Sequence, residues 1–134
     1  MLPLTEHRNA ALVRALFDAF ARRDLTAILA VVPEDVVWHF PGRHGRIAGT
    51  HRGRDAVLAF LASVEELTGG TFHLDLLDVT ASDTHAVALF RGQGTRAGRT
   101  LDNPTALVLR IAGGRIVEIR EFVWDLYHVD EFWS

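Results

Sequence analysis

The sequence predicts an α+β domain on three observations. Helical spacing governs the first half of the chain, β-rich runs fill the second, and Gly113 and Gly114 join the last two runs as a two-residue hairpin. In residues 5–23, Leu12, Val13, Leu16, Phe17 and Phe20 form one apolar stripe of a helix. Asp24 follows as an acceptor for a backbone N–H at the head of a second helix, 25–32, which Pro33 ends. The β-branched and aromatic run 36–40 reads as a short strand broken by Pro41 and Gly42. Residues 42–53, rich in Gly, Arg and His, read as a long rim or lid loop. A third helix spans 54–67, with Val57, Leu58, Leu61 and Val64 on one side and Gly69-Gly70 as its left-handed stop. Strands follow at 72–79, 85–92, 100–111 and 115–124, and Pro104 predicts a bulge or an edge in the third of these. The tail 125–134 carries Tyr127, Phe132 and Trp133, placed at a cavity mouth or against a partner subunit.

Length and composition bound the chemistry. A chain of 134 residues makes one domain, 1–134, with one core. It has no Cys, which removes disulfides, thiolate metal sites and cysteine nucleophiles. All 14 basic residues are Arg, so no lysine exists to form a Schiff base. A net charge of −3 argues against nucleic acid as a partner. No run reaches the ~18 apolar residues of a membrane span, and no signal-peptide layout opens the chain, so the expected location is cytoplasmic. Helices cover only one face of such a sheet. Apolar residues at both parities of the last two strands point to a homodimer through the outer face.

The element order, together with Phe17-Asp18-Ala19-Phe20-Ala21-Arg22-Arg23-Asp24-Leu25, Asp35-Val36-Val37-Trp38-His39-Phe40-Pro41-Gly42, Gly53-Arg54-Asp55-Ala56-Val57 and Gly114-Arg115-Ile116-Val117-Glu118, resembles the nuclear transport factor 2-like superfamily, nearest its SnoaL-like polyketide cyclase branch. The resemblance covers nearly the whole chain. It implies a cone: a curved antiparallel sheet wrapped round three N-terminal helices, with an apolar pocket inside and dimers common. It fixes no reaction, because one fold carries many chemistries. Ketosteroid isomerases of this superfamily place a carboxylate base before the strand-ending proline and a tyrosine on the first helix; Phe40 and Leu16 stand there in this chain. Limonene-type epoxide hydrolases need an Arg and an Asp on the strand that reads Ala86-Val87-Ala88-Leu89 here, and both charges are missing. Their water-holding Asn has His39 in its place.

The candidate reagents are therefore few. A histidine side chain can act as acid or base near neutral pH, which makes His39 a candidate if it meets a substrate; the competing reading is a ring satisfied at the strand end. Glu121 and Asp125 share the parity of Val117, Ile119 and Val123, which puts carboxyls on an apolar face. The competing reading pairs Glu121 with an arginine across the sheet and has Asp125 cap the tail. Of Asp102 and Asn103, one turns inward ahead of Pro104, and Asp102 is the further candidate carboxylate. Trp38, Phe40, Leu16, His73 and Tyr127 are candidate ligand contacts. His39, His44 and His51 lack the spacing of a helical metal pair, so neither metal nor cofactor is expected. The function these residues predict is binding of a hydrophobic, cyclic or polyketide-like molecule, with cofactor-independent proton transfer by His39 and a carboxylate. The rival readings are a non-catalytic binding module and a dimerisation domain.

Overall fold

The computed structural model describes residues 6–134, in the order α1 (Arg8–Arg22), α2 (Leu25–Val31), β1 (Val37–Phe40), β2 (Gly49–Arg52), α3 (Arg54–Leu67), β3 (His73–Ala81), β4 (His85–Arg96), β5 (Arg99–Ala112), β6 (Arg115–Val123) and α4 (Leu126–Trp133). One curved sheet with strand order β2-β1-β6-β5-β4-β3 is antiparallel throughout except for the β1–β6 pair, which is parallel. Helix α1 packs on β3 and β4, α3 on β1 and β2, and α4 on β5. Three helices at the N-terminal side and an α+β sheet are as the sequence predicts. The fourth helix is additional.

Local chemistry explains most boundaries. The Asp24 side chain accepts from Ala27 N–H at 3.1 Å and starts α2, while Arg23 ends α1 in the left-handed conformation at φ 53°. The predicted start of the first helix at Thr5 lies outside the described residues; α1 opens at Arg8, where the His7 ring accepts from Asn9 N–H. Gly113 and Gly114, at φ 58° and 73°, supply the two positive angles of the β5–β6 turn. Strict alternation along β5 buries Leu101, Asn103, Thr105, Leu107 and Leu109 and turns Asp102 and Arg110 outward.

Two predictions about local structure are corrected, and the tail gains an element that the sequence left unassigned. The 42–53 stretch is not all loop, because Gly49–Arg52 forms β2 against β1, with His51 opposite Trp38. Its polar composition hides a strand with little to bury. Pro104 makes no bulge: it pairs in register with Arg91 and accepts from Trp124 N–H at 3.0 Å, where β6 ends. Its missing N–H therefore falls where no ladder continues. The tail is helical because Asp125 caps it and Val129, Phe132 and Trp133 turn one face to the core. Among the described residues, no helix is long and apolar enough to cross a membrane.

The 42–48 segment fastens α4. Asp130 Oδ1 accepts from the backbone N–H groups of Arg43 and His44, each at 2.9 Å, and its Oδ2 meets His44 Nδ1 at 2.5 Å. The His44 N–H, then its ring, then the Arg43 N–H hold the Asp130 carboxyl down at about 2. Gly45, at φ 83°, lies flat against the Trp133 carbonyl, leaving no space for a β-carbon. Gly45→Ala combines that clash with a left-handed backbone, so it is expected to lower the urea-unfolding free energy by about 1–3 kcal/mol. A loss below about 0.5 kcal/mol would show that this segment does not fix α4.

A candidate active site inside the cone

Between the sheet and helices α1, α2 and α3 lies a cavity of about 810 Å³. That is within the range of sites that take drug-sized molecules. Its wall is mostly aromatic and aliphatic: Phe17 and Phe20 from α1, Phe60 from α3, Trp38 and Phe40 from β1, and Phe90 from β4. These rings pack on one another, with Trp38 and Phe60 centroids 5.2 Å apart and Phe17 and Phe90 5.4 Å apart. Charged lining residues, among them Arg14 and Asp18 of α1, its cap Arg23 and Glu65 of α3, are exposed or half-buried and form the rim. Arg23 and Glu65 bridge that rim at 2.6 Å.

Glu121 is the titratable group set into the inner wall. It is brought there by the pleat of β6, which points Ile119, Glu121 and Val123 inward opposite Leu109, Leu107 and Thr105. The surface it retains faces the cavity. Burial among apolar groups disfavours the carboxylate and pushes its pKa up to about 8, while the hydrogen bond from Trp38 Nε1 to Oε1, at 2.9 Å, acts in the opposite direction. No arginine crosses to it; the partner is an indole that can only donate. At neutral pH the group is mainly a neutral acid that can both donate and, after ionisation, accept a proton.

The other sequence candidates fall elsewhere. His39 alternates with Trp38 and Phe40, so their inward orientation turns its ring to the opposite side of β1. There it meets Glu118 Oε2 at 3.0 Å and Thr50 Oγ1 at 2.9 Å, and it is no part of the cavity wall. This hydrogen bond, ahead of the burial cost and the charges of Arg120, His39 and Arg110, leaves the Glu118 carboxyl below its ordinary range. Asp102 likewise points outward, pairing with Arg91 at 2.9 Å, and its neighbour Asn103 takes the inward position. Asp125 accepts from His128 N–H at 3.1 Å and caps α4, as its competing reading had it. Among the ligand-contact candidates, Trp38 and Phe40 line the cavity. His73 reaches the rim with its ring engaged by Gln93 and the Thr71 carbonyl. Leu16 is 1% exposed inside the core behind the wall, and Tyr127 is 89% exposed on α4, away from the cavity. His44 and His51 are engaged separately, by Asp130 and by the Ile47 carbonyl.

Two polar wall groups, Asn103 and Trp133, were not among the residues singled out as site candidates, although the sequence has one of Asp102 and Asn103 turn inward and sets Trp133 at a cavity mouth or partner face. Both are nearly inaccessible, at 5% and 3%, yet Asn103 Oδ1 and Trp133 Nε1 have no hydrogen-bond partner in the protein. The alternation of β5 carried the signal for Asn103: it shares the parity of Leu101, Leu107 and Leu109. For Trp133 the signal was the spacing of Leu126, Val129, Phe132 and Trp133 behind a capping Asp125.

Comparison with known proteins gives a consistent picture. The profile of the SnoaL-like domain family matches residues 13–119. Uncharacterized proteins of Mycobacterium bovis and Mycobacterium tuberculosis are 36% identical over 132 residues, covering 98% of this chain and 100% of theirs. Among solved structures, Bal32a from a soil-derived mobile gene cassette superposes with a TM-score of 0.90 at 38% identity, over 95% of this chain and 97% of its own. An NTF2-like protein from Burkholderia xenovorans LB400 shares the fold at a TM-score of 0.81 and 23% identity, over 98% of this chain and 100% of its own.

The raised pKa of Glu121 is also a statement about stability. Between its ordinary value of 4.5 and about 8 the folded chain retains a proton that the unfolded chain has lost. The contribution of Glu121 to folding is therefore intact below about 4.5, falls as pH rises through that window and levels off above about 8. Urea unfolding at a series of pH values is expected to show this decline in the wild type and its absence in Glu121→Gln. Equal pH slopes for the two proteins would show that the carboxyl is not desolvated.

Proposed function

Because this chain belongs to the SnoaL-like domain family, whose profile spans most of it, we propose that its cone binds a hydrophobic cyclic molecule and moves a proton on it through Glu121. The observation that carries this reading is one neutral-range carboxyl, held by the Trp38 indole, in an apolar cavity of about 810 Å³. In the carboxylate form, Glu121 removes a proton from a carbon acid such as the position next to a ketone, leaving the enolate. In the acid form it returns that proton to carbon or oxygen. Such a step underlies both isomerisation and aldol-type ring closure, and it needs no cofactor. The Trp38 N–H holds the carboxyl in one orientation and stabilises its anion. The aromatic wall excludes water and positions a flat substrate. His39 has no place in this scheme. The second reading is a binding module that holds the same class of molecule without turning it over.

A second proposal concerns assembly. On the outer face the register aligns Leu89, Ala106 and Phe122 in one row and Pro104 beside Trp124 in the next, with Phe122 54% and Trp124 85% exposed. Exposed aromatic rows of this kind favour association, and we propose that two copies pair through this face. Sedimentation at micromolar concentration is expected to give twice 14.9 kDa, and Phe122→Arg to give 14.9 kDa. A wild-type monomer would overturn the pairing.

Proton transfer is tested with 2-tetralone, a bicyclic ketone with exchangeable hydrogens, by following their replacement with deuterium in D2O by NMR. The wild type is expected to accelerate exchange, with a rate that rises with pH to about 8, where Glu121 becomes the carboxylate, and then levels. Glu121→Gln is expected to lose the acceleration by about 10²-fold or more. Binding without accelerated exchange favours the binding module; equal exchange in both proteins removes Glu121 from the chemistry.

A further inference from the structure

Glu121 is a carboxyl without a counter-charge. Trp38 Nε1 occupies its Oε1; among the described residues nothing hydrogen-bonds to Oε2, and the surface that Glu121 retains faces the cavity. The other ionisable groups of the wall stand at the rim and are already engaged. Arg14 pairs with Glu6 and Asp78, Asp18 with Arg22, and Arg23 with Glu65. The His73 ring is held by Gln93 and the Thr71 carbonyl. Among the described residues, β1, β4, β5 and α4 turn no ionisable side chain to the cavity. Burial and the Trp38 hydrogen bond are what act on the Glu121 carboxyl, with no charge from another side chain.

The surroundings of this carboxyl suit a positive charge. Phe20 and Phe60 lie on either side of the Trp38 contact, with ring centroids 6.3 and 5.2 Å from that of the indole. Aromatic rings attract a cation through their quadrupole, and a carboxylate out of water attracts it more strongly. A neutral guest leaves Glu121 mainly as the acid at pH 7, because its pKa stands at about 8, and the acid cannot take a proton from carbon. A cation beside it favours the carboxylate. Resting on the reading of the cone as a ligand site, we propose that its guest is a ring-containing amine whose ammonium group docks on Glu121 Oε2 among Phe20, Trp38 and Phe60. Glu121 releases its proton to solvent as the ammonium docks, and the resulting pair has no net charge in the apolar chamber. The ammonium thereby selects the guest and converts the acid into the base that proton transfer needs.

The probes are 2-aminotetralin and 2-tetralol, which share one bicyclic body and carry an ammonium or a hydroxyl on it. The amine is protonated at pH 7, as lysine is. Binding to the full chain is measured by calorimetry at pH 7 in phosphate and in Tris, whose different ionisation enthalpies reveal any proton exchanged with the buffer. The wild type is expected to bind the amine about tenfold more tightly than the alcohol. Close to one proton is expected to leave per amine bound, and none per alcohol. Glu121→Gln keeps the shape and an acceptor for Trp38. It is expected to lose about tenfold or more in amine affinity and to release no proton, while its affinity for the alcohol stays within about twofold of wild type. Should this variant fail to fold, the preference and the proton release of the wild type decide alone. Equal or tighter binding of the alcohol by the wild type, or amine binding without proton release, overturns the ammonium guest and leaves the cavity reading standing. Failure of both probes to bind removes the cavity reading, and the amine with it.

Discussion

The hydrogen bond between the Trp38 indole and the Glu121 carboxyl joins the two strands that pair in parallel, β1 and β6, through their side chains on the inner face. It also fixes the character of the cavity. A carboxyl surrounded by aromatic rings is costly when ionised, and the indole offers it one donor and no positive charge. The result is a group held at the boundary between acid and anion near neutral pH. Without the donor the carboxyl would sit higher still; with an arginine in that place it would be a permanently ionised structural pair.

The sheet separates two chemistries. On its outer side, charges are satisfied by other charges: His39 with Glu118, Asp102 with Arg91, and Glu118 with the flanking Arg110 and Arg120. On its inner side, polar groups are sparse and incompletely satisfied. The inner groups detract from folding stability, and the apolar packing around them must offset that cost. Clamps at the periphery contribute to this. Asp130 gathers the 42–48 segment, and Arg96 donates to the Phe132 and Ser134 carbonyls at 2.9 and 2.7 Å, so α4 and its Trp133 ring are held from two sides.

Where residues repeat with a clear period, the sequence is a good guide. The bounds of α3, the Asp24 cap and the Gly113-Gly114 turn all follow from local chemistry. The inward orientation of Glu121 follows from the period of two. His39 shows what pattern alone leaves open, since both parities of 36–40 are apolar or aromatic and only the direction of Trp38 and Phe40 decides which way the ring points. Strand β2 was illegible because it lies at the sheet edge with mostly exposed residues, so no buried face imprints a pattern. The pairing of Asp102 with Arg91 depends on tertiary register between strands, which composition does not encode. Asn103 and Trp133 come from β5 and α4, and that both line the cavity is a property of the packed chain.

The glycines of β4 have a consequence for how this protein can diversify. Gly92 and Gly94 present a smooth strip of backbone on the inner face, and Phe72, which precedes β3, is laid across it. The chamber at that end is therefore bounded in part by a ring outside the sheet ladder. Exchanging Phe72 for a smaller side chain would lengthen the chamber without disturbing a strand pair or the Trp38–Glu121 contact. A lineage carrying this arrangement can lengthen the chamber one substitution at a time while the end formed by Trp38 and Glu121 stays as it is.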